Sequence, residues 1–293
     1  MTTRRAAIFA HYDKDNVIDD YVIFYLQELK KVCEKLVFVS SCELDSEELK
    51  KLNDICDKTI SENHKEYDFG SYKRGFFSLN KPEIYDEIIF ANDSCFGPFY
   101  PLEQIFDKMN FKQCDFWGIS ENLVNLKGRY CPHIQTYFFV IRKNIVCDKN
   151  FKEFLCNVKC AENKNAIIKQ YEIGFSELLH KLGYKSAAFV EDYKDYRNPT
   201  ISKWREMFEK KLSPFVKCSL LRAQNTTMTI VTDWEKLFNQ PELTMIKKNL
   251  TRTKTSHTYS NSKLKQILLN LTNSIHCPQP LYNLSKLVLK LID

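Results

Sequence analysis

Residues 5–40 read RAAIFAHYDKDNVIDDYVIFYLQELKKVCEKLVFVS. Arg5 to Ala10 is a short apolar run ending at His11-Tyr12-Asp13, the pattern of a strand buried on both faces. The period then changes. Ile18, Tyr21, Val22, Tyr25, Leu29, Val32, Cys33 and Leu36 share one helical stripe. Asp15 or Asn16 can cap that helix, and Asp19 and Asp20 suit its positive end. Leu36 to Ser40 is a strand again. Strand, helix and strand in this order imply a parallel sheet with crossover helices, an α/β fold.

The rest of the chain extends the pattern. Asp45 to Leu52 opens a short acidic helix, and Lys58-Thr59-Ile60 is a looser third strand. Tyr85 to Ala91 (YDEIIFA) is the clearest central strand and ends at Asn92-Asp93-Ser94. Cys114 to Ile119, Thr136 to Ile141 and Ser186 to Val190 are further strands. Asn165 to Leu182 reads as one helix closed by Gly183, and another lies near Ser202 to Lys211.

In an open α/β sheet, ligands bind beyond the carboxyl ends of the strands. Three polar clusters are placed there: His11-Tyr12-Asp13, Tyr67 to Lys73, and Asn92-Asp93-Ser94. A carboxylate such as Asp93 can hold Mg²⁺ or Mn²⁺ against a diphosphate, although Asn-Asp-Ser is also ordinary turn chemistry. Tyr67 to Gly75 offers aromatics to stack on a base or sugar and Lys73 or Arg74 to meet phosphate; it also reads as a helix start. On the Asn165 helix, Glu172 stands in a row with Ile168, Phe175 and Leu179, while Glu177 falls in a solvated row. A carboxylate beside a core stripe is either a general base or half of a structural ion pair. His133 and Gln135 precede a strand and can reach the cleft, though a lone histidine is more often structural. The six histidines have no zinc spacing, and no phosphate-binding glycine loop or nucleophile elbow is present.

Composition sets the frame. The 293 residues are 44% hydrophobic and 27% charged, enough for one large core. Eleven scattered cysteines without a C-x-x-C pair suggest reduced thiols in a cytoplasmic protein. No signal-peptide pattern or spanning apolar run is expected. Leu243 to Asp293 holds eight Lys/Arg and one acid, leaving 35 bases and 36 acids in the first 242 residues. Two amphipathic helices are expected in this tail, at Leu264 to Leu271 and Leu281 to Leu291. The tail suits the anionic inner face of a membrane, or simply caps the fold. It lacks the interleaved aromatics of a nucleic-acid surface.

Several segments, in order, resemble the rhamnan synthesis protein F family. They are AIFAHYD (7–13), YDFGSYKRGF (67–76), YDEIIFANDSCFGPFYPLEQIF (85–106), DFWGISEN (115–122), HIQTYFFVIRKN (133–144), YEIGFSELLHKLGY (171–184), NPTISKWREM (198–207) and SPFVKCSLLR (213–222). The resemblance covers roughly residues 5–223, leaving the tail after about 240 outside. It implies a GT-A-like, Rossmann-related, mostly parallel sheet over residues 1–240, with a basic helical tail over 241–293. It also implies a glycosyltransferase, in particular a rhamnosyltransferase, for cell-surface polysaccharide or lipopolysaccharide O-antigen. The donor would be dTDP-L-rhamnose or another nucleotide sugar, the acceptor a lipid-linked glycan at the inner membrane.

In that scheme His11, Tyr12, Asp13, Asp68, Lys73 and Asn92 bind the donor, and His133 and Gln135 line the cleft. Asp93 holds a divalent cation and Glu172 is the base. The place of the family fold's D-x-D motif reads Asn92-Asp93-Ser94, one carboxylate short. A sugar-phosphate transferase and a non-catalytic glycan-binding or scaffold module are the alternatives.

Overall fold

The computed structural model describes residues 3–125, 129–160, 163–191, 198–222, 231 and 233–253. The first half runs β1 Arg5–His11, α1 Asp20–Val32, β2 Lys35–Ser40, α2 Ser46–Lys50, β3 Lys58–Ser61, α3 Tyr67–Ser78, β4 Glu87–Asn92, β5 Cys95–Phe96 and α4 Leu102–Met109. It continues through β6 Phe116–Val124, β7 Tyr130–Ile134, β8 Phe138–Arg142, α5 Lys143–Cys147 and α6 Lys149–Cys156. Then come α7 Lys164–Ile167, a π-helical turn at Ile168–Ile173, α8 Gly174–Lys181 and β9 Ser186–Val190. The last elements are α9 Pro199–Ser202, α10 Trp204–Glu209, β10 Val216–Lys217, α11 Cys218–Leu221 and α12 Gln240–Arg252.

The main sheet has the order β3-β2-β1-β4-β8-β6-β7, with β9 also on β6. β1 to β4 pair in parallel, as does β9 with β6. β8 runs against both its neighbours, β4 and β6. The expected α/β architecture, a mostly parallel sheet between helices, is therefore present. Strand β1 shows why its sequence is apolar throughout. Ala7 and Phe9 join the core under α1 and α4, while Ala6, Ile8 and Ala10 join the core under α3. Both faces are covered, so no polar alternation survives.

Two local expectations are corrected. Helix α1 starts later than Asp15 or Asn16 would place it: its N-cap is Asp19, whose side chain makes no cap bond. Asn16 instead takes a left-handed φ of 58° in a tight turn, its N–H donating to Asp13 O. The Asn165 to Leu182 helix is interrupted by the π turn, which slips the buried face so that Ile173 and Ser176 face inward and Leu182 is exposed. Tyr67 to Ser78 is a helix, in keeping with the helix start read at Tyr67 to Gly75.

Helix α12 begins where the tail is expected to begin. A full capping box between Asn239 and Glu242 starts it, and Ile246 and Asn249 are buried. Near its end, Arg252 Nη2 reaches Asp13 at 2.5 Å and Asp19 at 2.6 Å, and Nη1 reaches Asp15 at 3.1 Å. The tail helices expected at 264–271 and 281–291 lie outside the described residues. Among the described residues no helix is long and apolar enough to cross a membrane.

The placement of α3 over β1 rests on Gly75. A Cβ there would meet Ile8 Cγ2 at 2.2 Å. Gly75→Ala should lower stability by about 1–3 kcal/mol through overpacking. A urea melt reads this directly, and an unchanged midpoint would mean that helix and strand stand further apart.

Candidate active site

The topology gathers polar groups at one edge of the sheet. Parallel strands β1 and β4 end there at His11 and Asn92, and α3 starts there after β3. Because β8 runs the other way, its beginning lies at the same edge. Ala91 pairs with Phe138, the Asn92 N–H donates to Tyr137 O at 3.1 Å, and Gln135 and Thr136 follow alongside.

Asp93 sits at the first turn beyond β4. Its Oδ2 accepts the Tyr12 N–H at 2.8 Å, which ties the ends of β1 and β4. Its own carbonyl accepts the Tyr21 hydroxyl at 2.9 Å. Burial pushes the Asp93 carboxyl up to about 7; the Tyr12 N–H and Arg222 oppose that rise, whereas Asp68 and Asp13 add to it. Asn92 is buried and fixes its neighbours: Nδ2 donates to Asp68 Oδ2 at 2.8 Å, and Oδ1 accepts from Ser94 N and Ser94 Oγ.

Glu172 approaches from the π turn. Gln135 Nε2 donates to its Oε1 at 3.0 Å, and Asn198 Nδ2 donates to Gln135 Oε1 at 2.6 Å. Asn198 Oδ1 in turn caps α9 through Thr200 N and Oγ1. One buried group links the acids. The Tyr72 phenol donates to Thr136 O at 3.0 Å. It is held far above its ordinary range by burial and then by Asp68, Asp93 and Glu172, with Asn92 pulling the other way. Asp68 on α3, Asp93 just beyond β4 and Glu172 in the π turn thus bring three carboxylates to this end of the sheet.

The other expected residues are placed differently. His11 is interior: its Nδ1 lies 3.0 Å from Ser40 Oγ, and burial lowers it to about 4, so the ring is neutral. Tyr12 beside it is 60% exposed and open to a ligand. Asp13 is enclosed by the Arg252 ion pair; burial resists its charge, but Arg252 and the backbone N–H groups of Asp15 and Val17 hold its carboxyl below the usual range. Lys73 is engaged elsewhere, donating to Val158 O at 2.8 Å and lying 3.4 Å from Glu66. His133 is buried on β7, its Nδ1 donating to Cys131 O at 2.7 Å.

Sequence reasoning gave no role to Asn198, Lys217 or Arg222, and it offered Tyr72 only among the stacking aromatics of Tyr67 to Gly75, whereas Tyr72 is fully buried. All four lie within the family-like segments quoted above, but nothing in their spacing marks them.

As for a metal, no group of three or more His, Cys, Asp or Glu among the described residues is arranged to hold one. On this turn Asn92 Oδ1 already accepts two bonds from Ser94, leaving Asp93 as the anionic ligand. A divalent cation here would draw most of its shell from phosphate oxygens of a substrate.

The raised Asp93 carboxyl has a consequence for stability. An unfolded aspartate titrates near 3.9. The folded group therefore favours its neutral form. Its ionisation costs nothing below about pH 4, an increasing amount toward pH 7, and the full amount above. Asp93→Asn should melt higher than the native protein at pH 8, with the difference fading toward pH 4. A lower melting temperature at pH 8 would contradict this placement.

Comparison with known proteins identifies the lineage. The family model described as rhamnan synthesis protein F matches residues 36–275, well over half the chain. An uncharacterised Sinorhizobium fredii protein is 24% identical over 152 residues, 51% of this chain and 39% of that one. The chain thus spans well under two thirds of that relative's length. The virulence protein VirA of Vibrio anguillarum is 26% identical over 262 residues, covering 76% of this chain and 81% of that one. Among solved structures, the glycosyltransferase GlyE of Streptococcus pneumoniae aligns over 88% of this chain and 66% of that chain, with TM-score 0.46 and 10% identity. A cytidylyltransferase of Leptospira borgpetersenii aligns over 88% and 100%, with TM-score 0.42 and 9% identity. By the extent of its family match, the chain belongs to the rhamnan synthesis protein F family.

Proposed function

We propose that this protein is a glycosyltransferase that moves a sugar from a nucleotide-sugar donor to a growing cell-surface polysaccharide. The observation that carries the proposal is the hydrogen-bonded set of acids at the carboxyl ends of β1 and β4, where α/β folds bind ligands: Asp68 on Asn92, Asp93 on the Tyr12 N–H, and Glu172 on Gln135. Membership of a family named for rhamnan synthesis supports rhamnose as the sugar and dTDP-L-rhamnose as the donor. A lipid-linked glycan at the inner membrane face is the acceptor in this reading.

The geometry supports the following roles. The nucleotide lies over the ends of β1 and β4, with exposed Tyr12 against the base or ribose. Asp68 and Asn92 form one hydrogen-bonded unit beside it. Glu172 is held by Gln135 and takes the proton from an acceptor hydroxyl. The acceptor oxygen then bonds to the anomeric carbon. The carbon–oxygen bond to the diphosphate breaks, and the nucleoside diphosphate leaves with the electron pair.

The test is a panel of nucleotide sugars led by dTDP-L-rhamnose. One donor should raise the melting temperature. Glu172→Gln should keep that rise but lose transfer by about a hundredfold or more, as expected when a general base is removed. Released nucleoside monophosphate instead of diphosphate would turn the reading to sugar-phosphate transfer. No donor binding, with polysaccharide production intact in cells carrying Asp93→Asn and Glu172→Gln, would turn it to a non-catalytic module.

A further inference from the structure

We propose that Lys217 and Arg222 form an anion seat that holds the donor's diphosphate with charge built into the protein. This rests on the transferase reading above.

The two cations lie at the Asp93-Ser94 turn, Lys217 against Ser94 and Arg222 through the Tyr21 hydroxyl on Asp93. Strand β10 pairs antiparallel with β5, setting Lys217 opposite Cys95, and the Cys218 N–H donates to Ser94 O at 2.9 Å. From there Lys217 Nζ reaches Ser94 Oγ at 3.2 Å and stands 4.1 Å from the Tyr137 ring centroid. At the far end of α11, Arg222 Nη2 lies 3.4 Å from the Tyr21 hydroxyl, the same hydroxyl that donates to the Asp93 carbonyl. Asn249 Oδ1 accepts from Arg222 Nη2 at 3.0 Å and from Nε at 3.2 Å.

Both cations are half-buried, and among the described residues neither has a carboxylate within ion-pair distance. The other half-buried arginines among the described residues do: Arg5 and Arg142 pair with Glu87, Arg74 with Glu66, Arg205 with Glu209, and Arg252 with Asp13, Asp15 and Asp19. A cation taken partly out of water without an anion is costly, and a neutral hydroxyl, ring or carboxamide offsets only part of that cost. The missing partner is an anion. The turn at which these cations lie is where the donor's diphosphate lies in the transferase reading. There Lys217 acts as a point charge, and Arg222, fixed by Asn249 and Tyr21, adds a second positive charge to the field on the diphosphate. Both remain in place as negative charge grows on the departing nucleotide. Two fixed positive charges also supply what a divalent cation supplies elsewhere, on a turn that offers one carboxylate instead of a pair.

The test is calorimetric titration of the full chain with inorganic pyrophosphate and with dTDP, first in EDTA and then with Mn²⁺. Both should bind in EDTA. Lys217→Met should weaken them about tenfold, the loss of one charged contact. Lys217→Arg should restore most of the affinity. Arg222→Lys keeps the charge but loses the paired bonds to Asn249, and should weaken dTDP less than Lys217→Met does. Melting curves of each variant separate lost binding from lost folding. Binding that requires Mn²⁺ and ignores Lys217→Met would overturn the seat. Pyrophosphate binding that depends on Lys217, with no transfer from any nucleotide sugar, would keep the seat and sink the transferase reading.

Discussion

The Asn92 N–H donates to the Tyr137 carbonyl, and the register set by that bond governs the whole cleft. It fixes where antiparallel β8 begins against parallel β4. A slip of one residue would turn each side chain of β8 to the other face of the sheet, burying what should face the cleft. In the observed register, Gln135, Thr136 and Tyr137 stand beside the Asn92-Asp93-Ser94 turn. Tyr72 can then reach the Thr136 carbonyl, Gln135 can reach Glu172, and the Tyr137 ring lies under Lys217. The strand that breaks the parallel pattern is the one that assembles the site.

Charge at this edge is unevenly shared between the halves of the chain. The first half supplies Asp13, Asp68 and Asp93, which repel one another and are partly withdrawn from water. The second half supplies Lys217, Arg222 and Arg252. Arg252 neutralises the loop between β1 and α1 by meeting three aspartates, and Lys248 meets Asp20. Without α12 those aspartates would lose these cationic partners. The helix at Gln240–Arg252 therefore acts as part of the globular fold's electrostatics, although its composition matches the basic segment that follows it.

How much of this could be read in the sequence depends on the range of the interaction involved. Strands β1, β2 and β4 were legible because burial on both faces leaves uninterrupted apolar runs. Asp93 was legible because a polar triplet directly follows the strongest run. Glu172 was legible as an acid in an apolar row, yet that row assumed a constant helical period. The π turn breaks the period and leaves Glu172 half-buried beside Gln135. Lys73 looked like a phosphate ligand because its neighbours in sequence are polar, but a helix carries it away to Val158. Lys217 meets Ser94 across 123 residues, and Arg252 meets Asp13 across 239. No local pattern encodes such pairs, and only the folded register brings them together.

The last link concerns which atom Glu172 faces. The Thr200 N–H can only donate, so the cap of α9 requires an oxygen from Asn198. That choice leaves the Asn198 amide nitrogen as the donor to Gln135, which must answer with its own oxygen. The Gln135 nitrogen is then turned toward Glu172, and an N–H, never a carbonyl, meets that carboxylate. A helix cap eight residues beyond β9 thereby sets the polarity of the contact at the proposed base. It does so through uncharged amides, so the Gln135 contact orients the carboxylate without itself neutralising it.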